Sequence, residues 1–433
     1  MDEARAVWWR LVLRPILPLM VAVPVTEFLA RTMRGLGPLW AIQQDSFVQV
    51  AIASIAVVFC MSLTNRRLAL LAVGGGVLAF DVLNGVLSAM PLAQKTANAL
   101  LLLPFGAIGV AGFVAAIGRA HGAARAYWAR RFAIALVVPM MCLVAPFGLW
   151  LSLQQTTVYD LHILAFEDTL GLRLSSVSMT VAAALPALRS ICAFAYFTIA
   201  LGFVLLRLVQ GERGEEGAPG APGRRVDVLG AFVAAGAVGY ALYFLVPAVG
   251  PTITLAGPLG GTWPAPGTVA AEIFIGEEGA ARNAMPSLHT AWSLLLVFNS
   301  GALARWPRRG FRAFAGLNIA ATMLLGEHWI ADLVVAVPFA VAIQALCTPA
   351  DARTAPARRG AIALGVALVA AWLAALRWLV PGAGAIPGAL SWLALAATVV
   401  LPLLLERRLR LRGARWSAAM AGKRSSIVPV AAG

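Results

Sequence analysis

Charge is what this 433-residue chain has least of: only 12% of its residues are Asp, Glu, Lys or Arg, against 61% apolar. Soluble globular proteins carry about 25% charged and about 45–50% apolar residues, so a water-soluble domain is excluded. Acids are scarcer than bases, 19 against 34, and the formal charge is +15. That excess does not imply a nucleic-acid partner, because the cations stand between apolar runs and not along one face. Four cysteines, Cys60, Cys142, Cys192 and Cys347, lie in or at the ends of apolar runs without metal-ligand spacing. They read as small buried apolar residues and give no disulfide framework. Histidine is equally rare, four in all, so each one can be weighed singly.

What the chain has in excess is apolar runs of about twenty residues, the length a helix needs to cross a bilayer. About twelve can be placed, which makes the expected fold an all-α polytopic membrane protein. Four lie near 11–30, 47–63, 68–90 and 98–118, six near 132–153, 184–207, 228–247, 288–304, 312–326 and 329–348, and two near 361–379 and 387–405. The run LVLRPILPLMVAVPVTEFLA has no small-residue cleavage site and reads as a first span, not a removed leader. Arg66 and Arg67, the group Arg119 to Arg131, Arg207 to Arg225, Arg305 to Arg312, Arg353 to Arg359 and the tail from Arg407 to Arg424 fall on alternate connections. The positive-inside rule places all of these, and both termini, in the cytoplasm. Residues 154–181, with Asp160, Glu167 and Asp168, and residues 248–287, with Glu272, Glu277 and Glu278, then face the exterior. The Gly/Pro-rich segment GERGEEGAPGAPGRR at 211–225 is a cytoplasmic linker.

Ionisable groups at membrane depth are costly and mark function. His121 sits in an Arg-rich loop and reads as solvated, and His162 has no partner legible in the outer segment. His289 and His328 both fall at outer ends of spans. Asp332 follows His328 by four residues and shares its helical face, where a carboxylate fixes the ring tautomer and raises the basicity of the other nitrogen. In RNAMPSLHTAW, at 282–292, Pro286 and Ser287 open a helix, with Pro in its first turn. The free N–H groups of such a start attract a phosphate-like anion, Arg282 offers paired hydrogen bonds to phosphate oxygens, and His289 is placed to donate a proton. These parts describe a phosphoryl-transfer site with no metal and no cofactor, since no carboxylate cage for Mg²⁺ lies nearby. Asp81, inside an apolar run, has Asn84 one turn away to satisfy it.

Pro286-Ser287-Leu288-His289 followed by His328-Trp329-Ile330-Ala331-Asp332 resembles the type-2 phosphatidic acid phosphatase superfamily, closest to its inositol phosphorylceramide synthase-like branch, the inositolphosphotransferases. ATMLLGEHWIAD (321–332), YFLVPAVGP (243–251) and FEDTLG (166–171) are similar to further segments of that branch. The resemblance covers residues 132–348 and implies a six-helix catalytic core, with a four-span region of unassigned role at 1–131 and two spans plus a basic tail at 349–433. It implies that His328 attacks phosphorus to give a phosphohistidine, that Asp332 orients it, that His289 protonates the leaving oxygen, and that Arg282 and Ser287 hold phosphate. The implied partners are membrane lipids, a phospholipid donor with a lipid alcohol or water as acceptor, at the outer face of a bacterial inner membrane. Two departures stand out. The superfamily's Lys/Arg-rich first motif is missing before residue 250, and Thr322 stands where an Arg is usual six residues before the nucleophile. Fewer cations favour a singly charged phosphodiester over a dianionic monoester. A plain lipid phosphate or polyprenyl pyrophosphate phosphatase is the alternative enzyme. A transporter or flippase is the reading from another class, although no internal repeat is visible.

Overall fold

The computed structural model of the chain describes residues 45–63, 106–171, 173–211, 226–265, 269, 272–275, 281–349, 354–379 and 387–425. The expected spans at 11–30 and 68–90, and with them Asp81 and Asn84, lie outside the described residues. The described helices are α1 (Asp45–Ser62), α2 (Gly106–Arg119), α3 (Gly122–Leu153), α4 (Asp160–Thr169), α5 (Leu174–Ala184), α6 (Pro186–Phe197), α7 (Ile199–Gly211), α8 (Val228–Tyr243), α9 (Pro251–Ala256), α10 (Leu288–Asn299), α11 (Arg305–Leu324), α12 (Ile330–Cys347), α13 (Ala355–Ala374) and α14 (Gly388–Ser425). Helices dominate because a chain with this much apolar surface must satisfy its backbone polar groups internally wherever water is excluded.

Contacts divide the chain into two compact units, Met1–Trp150 with Ala200–Leu208, and Leu151–Ile199 with Val209–Gly433. In the first, an aromatic cluster fills the core. Phe113, fully buried, meets Phe59 edge-on at 5.1 Å and stacks on Phe132 at 5.1 Å. Ser54 donates across the unit to the Ala135 carbonyl at 3.2 Å.

The second unit is built around α12, in which every residue from Ala331 to Ala345 is buried. A helix apolar on all sides has to be surrounded, and α8, α10, α13 and α14 pack against it. Gly365 lets α13 come close: a side-chain carbon there would sit 2.6 Å from the Pro338 carbonyl oxygen and 2.8 Å from Ala342 Cβ. Small residues at such crossings let backbones approach where lipid removes the hydrophobic drive for association.

Three described helical stretches, Ile330–Cys347, Ala355–Trp378 and Gly388–Leu411, are long and apolar enough to cross a membrane. Five shorter apolar helices, Val50–Ser62, Gly106–Arg119, Ile199–Gln210, Val228–Tyr243 and Leu288–Asn299, accompany them. The run expected as one span over 184–207 is not one helix. It is split at Thr198, and its first limb α6 pairs with α5 across a bend of 113°. Pro186 causes the bend, because a residue before proline is driven out of the helical region, and Leu185 sits at φ −126°, ψ 74°. The supposed outer segment 154–181 therefore carries α4 and the start of this bent pair.

The two acidic segments read as lying on one side do meet. Thr157 and Val158 form an antiparallel pair with Ile275 and Phe274, and Arg173 bridges Asp168 to the carbonyls of Pro264 and Ala265. Glu167 supplies the acceptor that α5 lacks at its start. Its carboxylate takes the Ser175 N–H at 2.8 Å and the Ser175 hydroxyl at 2.8 Å. Helix α4 is held from the other side by the C-terminal helices. His162 Nδ1 lies 2.9 Å from the Leu376 carbonyl, in the π turn Ala375–Leu379 that extends α13. Thr169 pairs with Ser391 at 2.6 Å, Trp392 donates to the Leu170 carbonyl at 3.1 Å, and Phe166 meets Trp372 edge-on. His162 is thus a buried structural group, although nothing near it in sequence signals a partner.

Burial pushes the Glu167 carboxyl up to about 7, against the pull of its Ser175 bonds. A folded-state value above the unfolded one means that the folded chain holds the extra proton. Stability is full below about 4.5, the unfolded value, and is lost as pH rises through about 7. Glu167→Gln is expected to flatten this fall, worth on the order of 3 kcal/mol, in thermal unfolding measured from pH 4.5 to 8. A variant with the wild-type slope contradicts it. Gly250, at φ 87°, faces the Glu327 carbonyl so closely that a side-chain carbon would overlap it. Gly250→Ala should destabilise by about 1–3 kcal/mol, and a wild-type unfolding midpoint would show that the turn has room.

Candidate active site

Residues forty positions apart in sequence are brought together by backbone before any side chain acts. Ser287 N–H donates to the Asp332 carbonyl at 3.1 Å, so the first turn of α10 is tied to the first turn of α12. The 247–252 segment crosses both. Ala284 N–H donates to the Ala248 carbonyl at 3.1 Å, and Thr252 N–H to the Gly326 carbonyl at 2.9 Å. All five residues expected at the site lie in this assembly.

His328 is buried, and its Nδ1 lies 2.9 Å from the Ala284 carbonyl oxygen. A carbonyl can only accept, so Nδ1 carries the proton and the Nε2 lone pair is left for chemistry. Asp332 Oδ2 stands 3.5 Å from the same Nδ1, beyond a good hydrogen bond but close enough to stabilise a positive ring. Its shorter bond is to the Trp329 N–H, at 2.7 Å. That is the N3 half of a capping box, with an acid at the positive end of the α12 dipole. Asp332 Oδ1 is buried without a hydrogen-bond partner among the described residues. The tautomer is therefore set first by a backbone carbonyl and only second by the acid that sequence spacing singled out.

His289 lies one residue into α10, its ring centroid 6.5 Å from that of His328. Tyr196 of α6 stacks on it at 3.5 Å with 16° between planes, and Trp292 meets it edge-on at 5.6 Å. Asn318 fixes α6 by donating to the Ala195 carbonyl at 2.6 Å, and it accepts from Ser293 at 3.2 Å. Ser287 is the N-cap of α10, its hydroxyl accepting the Thr290 N–H at 3.3 Å. The helix starts at Leu288, so Pro286 precedes the cap and does not occupy the first turn as expected. Leu288 is a packing residue, buried against Gly239 of α8, where a side-chain carbon would collide with it.

The charge at the site is held below these rings. Arg282 is buried, and burial lowers its guanidinium while Asp160 raises it back. Asp160, the first residue of α4 and fully buried, accepts from Val249 N–H at 2.9 Å, Gly250 N–H at 2.8 Å and Trp329 Nε1 at 2.8 Å. Burial pushes its carboxyl up to about 6 against those three bonds, and the charge of Asp332 raises it further. Among the described residues no three His, Cys, Asp or Glu side chains converge as a cation's ligands would.

Sequence reasoning missed Ala284, Asp160, Trp329 and Tyr196. Ala284 acts through its carbonyl, which no side-chain pattern can report. Asp160 and Tyr196 are distant in sequence from both motifs. Their only signals were an acid just ahead of an apolar stretch and one of five tyrosines inside an apolar run.

No curated protein and no solved structure matches the chain. Residues 161–346, which hold Arg282, Ser287, His289, His328 and Asp332, match the family model of the PAP2 superfamily.

Proposed function

We propose that the chain is a membrane lipid phosphotransferase or phosphatase working through a phosphohistidine on His328. The observation that carries the reading is the convergence of the two motifs. One backbone bond joins Ser287 to Asp332, one carbonyl fixes the His328 tautomer, and the second histidine stands 6.5 Å away, ring to ring. The match to the PAP2 superfamily supports the same chemistry on lipid phosphates.

The steps follow from the geometry. His328 Nε2 attacks phosphorus, the bond to the departing oxygen breaks, and protonated His289 gives that oxygen its proton. Asp332 stabilises the cationic phospho-imidazole. In the second half an acceptor hydroxyl gives its proton to His289, its oxygen attacks phosphorus, and the P–N bond breaks to release His328. Arg282 and Ser287, at the positive end of α10, hold the phosphoryl oxygens. The acceptor decides between transferase and hydrolase. Asp160 offsets part of the Arg282 charge, which supports a phosphodiester donor such as a phosphoinositol lipid over a dianionic monoester. We place the site on the outer face with both termini inside, in a six-helix core flanked by further spans, on the alternation of the arginine clusters.

His328→Ala is expected to abolish turnover, by more than about 10³-fold. His289→Ala is expected to slow release of the phosphoenzyme while still allowing it to form with an activated leaving group. The assay incubates purified protein with labelled phosphatidic acid and labelled phosphatidylinositol, with and without ceramide, and counts both products and acid-labile protein-bound label. Substantial turnover by His328→Ala would sink the reading and leave a transporter as the better account.

A further inference from the structure

We infer that Asp160 is a positioning residue for the reaction: one buried carboxylate that sets both groups facing the His328 ring. The inference rests on the phosphohistidine reading above. Asp160 makes no hydrogen bond to either histidine; its three donors are Val249 N–H, Gly250 N–H and Trp329 Nε1. From these, two short routes lead to His328. The Val249 and Gly250 bonds fix the turn whose Ala248 carbonyl receives the Ala284 N–H, and the Ala284 carbonyl is what His328 Nδ1 faces at 2.9 Å. The Trp329 bond fixes an indole that is fully buried, and the N–H of the same residue holds Asp332 Oδ2 at 2.7 Å. Ala284 and Asp332 are the two partners of Nδ1, and both are located by one carboxylate.

The chemistry of the acceptor suits that task. Three N–H groups converge on two oxygens, and an ionised carboxylate accepts all three. An amide in its place would turn its NH₂ against one of them, leaving two donors opposed in a buried site. Asp160 is itself held, because the helix it begins is pinned by the C-terminal helices through His162–Leu376, Thr169–Ser391 and Trp392–Leu170. The C-terminal pair thereby reaches the chemistry through α4, a connection that neither histidine motif announces.

The test uses full-length protein in lipid nanodiscs with dioctanoyl phosphatidic acid and dioctanoyl phosphatidylinositol as probes, comparing Asp160→Asn, Trp329→Phe and the double variant. Asp160→Asn is expected to lower kcat at least about tenfold with KM within about threefold of wild type. The double variant should be no slower than the slower single one, because Asp160→Asn already disturbs the Trp329 contact that Trp329→Phe removes. A wild-type kcat for Asp160→Asn, or losses that multiply in the double variant, overturns the inference. If Asp160→Asn does not purify folded, Trp329→Phe decides alone: it keeps the carboxylate and loses only the indole donor, so a lowered kcat at unchanged KM supports the inference and an unchanged kcat overturns it. His328→Ala separates the two layers. If it still turns over either probe, the phosphohistidine reading fails; if it is inactive, the Asp160 result speaks for itself.

Discussion

The site depends on one hydrogen bond, from His328 Nδ1 to the Ala284 carbonyl. It joins the segment before α10 to the segment before α12, and it decides which ring nitrogen is free. Because the acceptor is main chain, its position is inherited from the packing of whole segments. Ala284 is set by Ala248, the 247–250 turn by Asp160, and Asp160 by the helix it begins. In a water-poor interior such bonds gain strength and an unmet donor becomes expensive, so the chain of contacts is either complete or costly.

Asp160 and Glu167 both feel the charge of Asp332, so the electrostatics around the site are those of neighbouring buried acids. Asp160, Glu167 and Asp332 are all fully buried; backbone N–H groups, an indole and a serine hydroxyl hold them, and Asp332 also faces the His328 ring. Arg173 is committed to Asp168, and Asp160 offsets part of the Arg282 charge.

Much of this was legible in the sequence. The apolar excess announced helices, and the His-x-x-x-Asp and Pro-Ser-x-His pattern picked out the residues that converge. What escaped reading has physical reasons. The apolar run 184–207, which periodicity alone reads as one straight span, breaks at Thr198, and Pro186 at its start sets α6 at 113° to α5 with Leu185 out of helical geometry. Ser287 begins α10 as its N-cap, and its hydroxyl takes the Thr290 N–H. His162 and Asp160 have partners 214 and 169 positions away, distances over which local pattern carries no information. Leu288, inside the Pro-Ser-x-His motif, packs on Gly239 and sets helix spacing, a contact that the motif does not signal.

The central claim is that a backbone carbonyl claims Nδ1 and leaves Nε2 as the nucleophile. Trapping the phosphoenzyme with labelled donor lipid and reading the isomer of its phosphohistidine by ³¹P NMR after proteolysis tests it most directly. The account predicts phosphate on Nε2 of His328. Phosphate on Nδ1, or on His289, would contradict it.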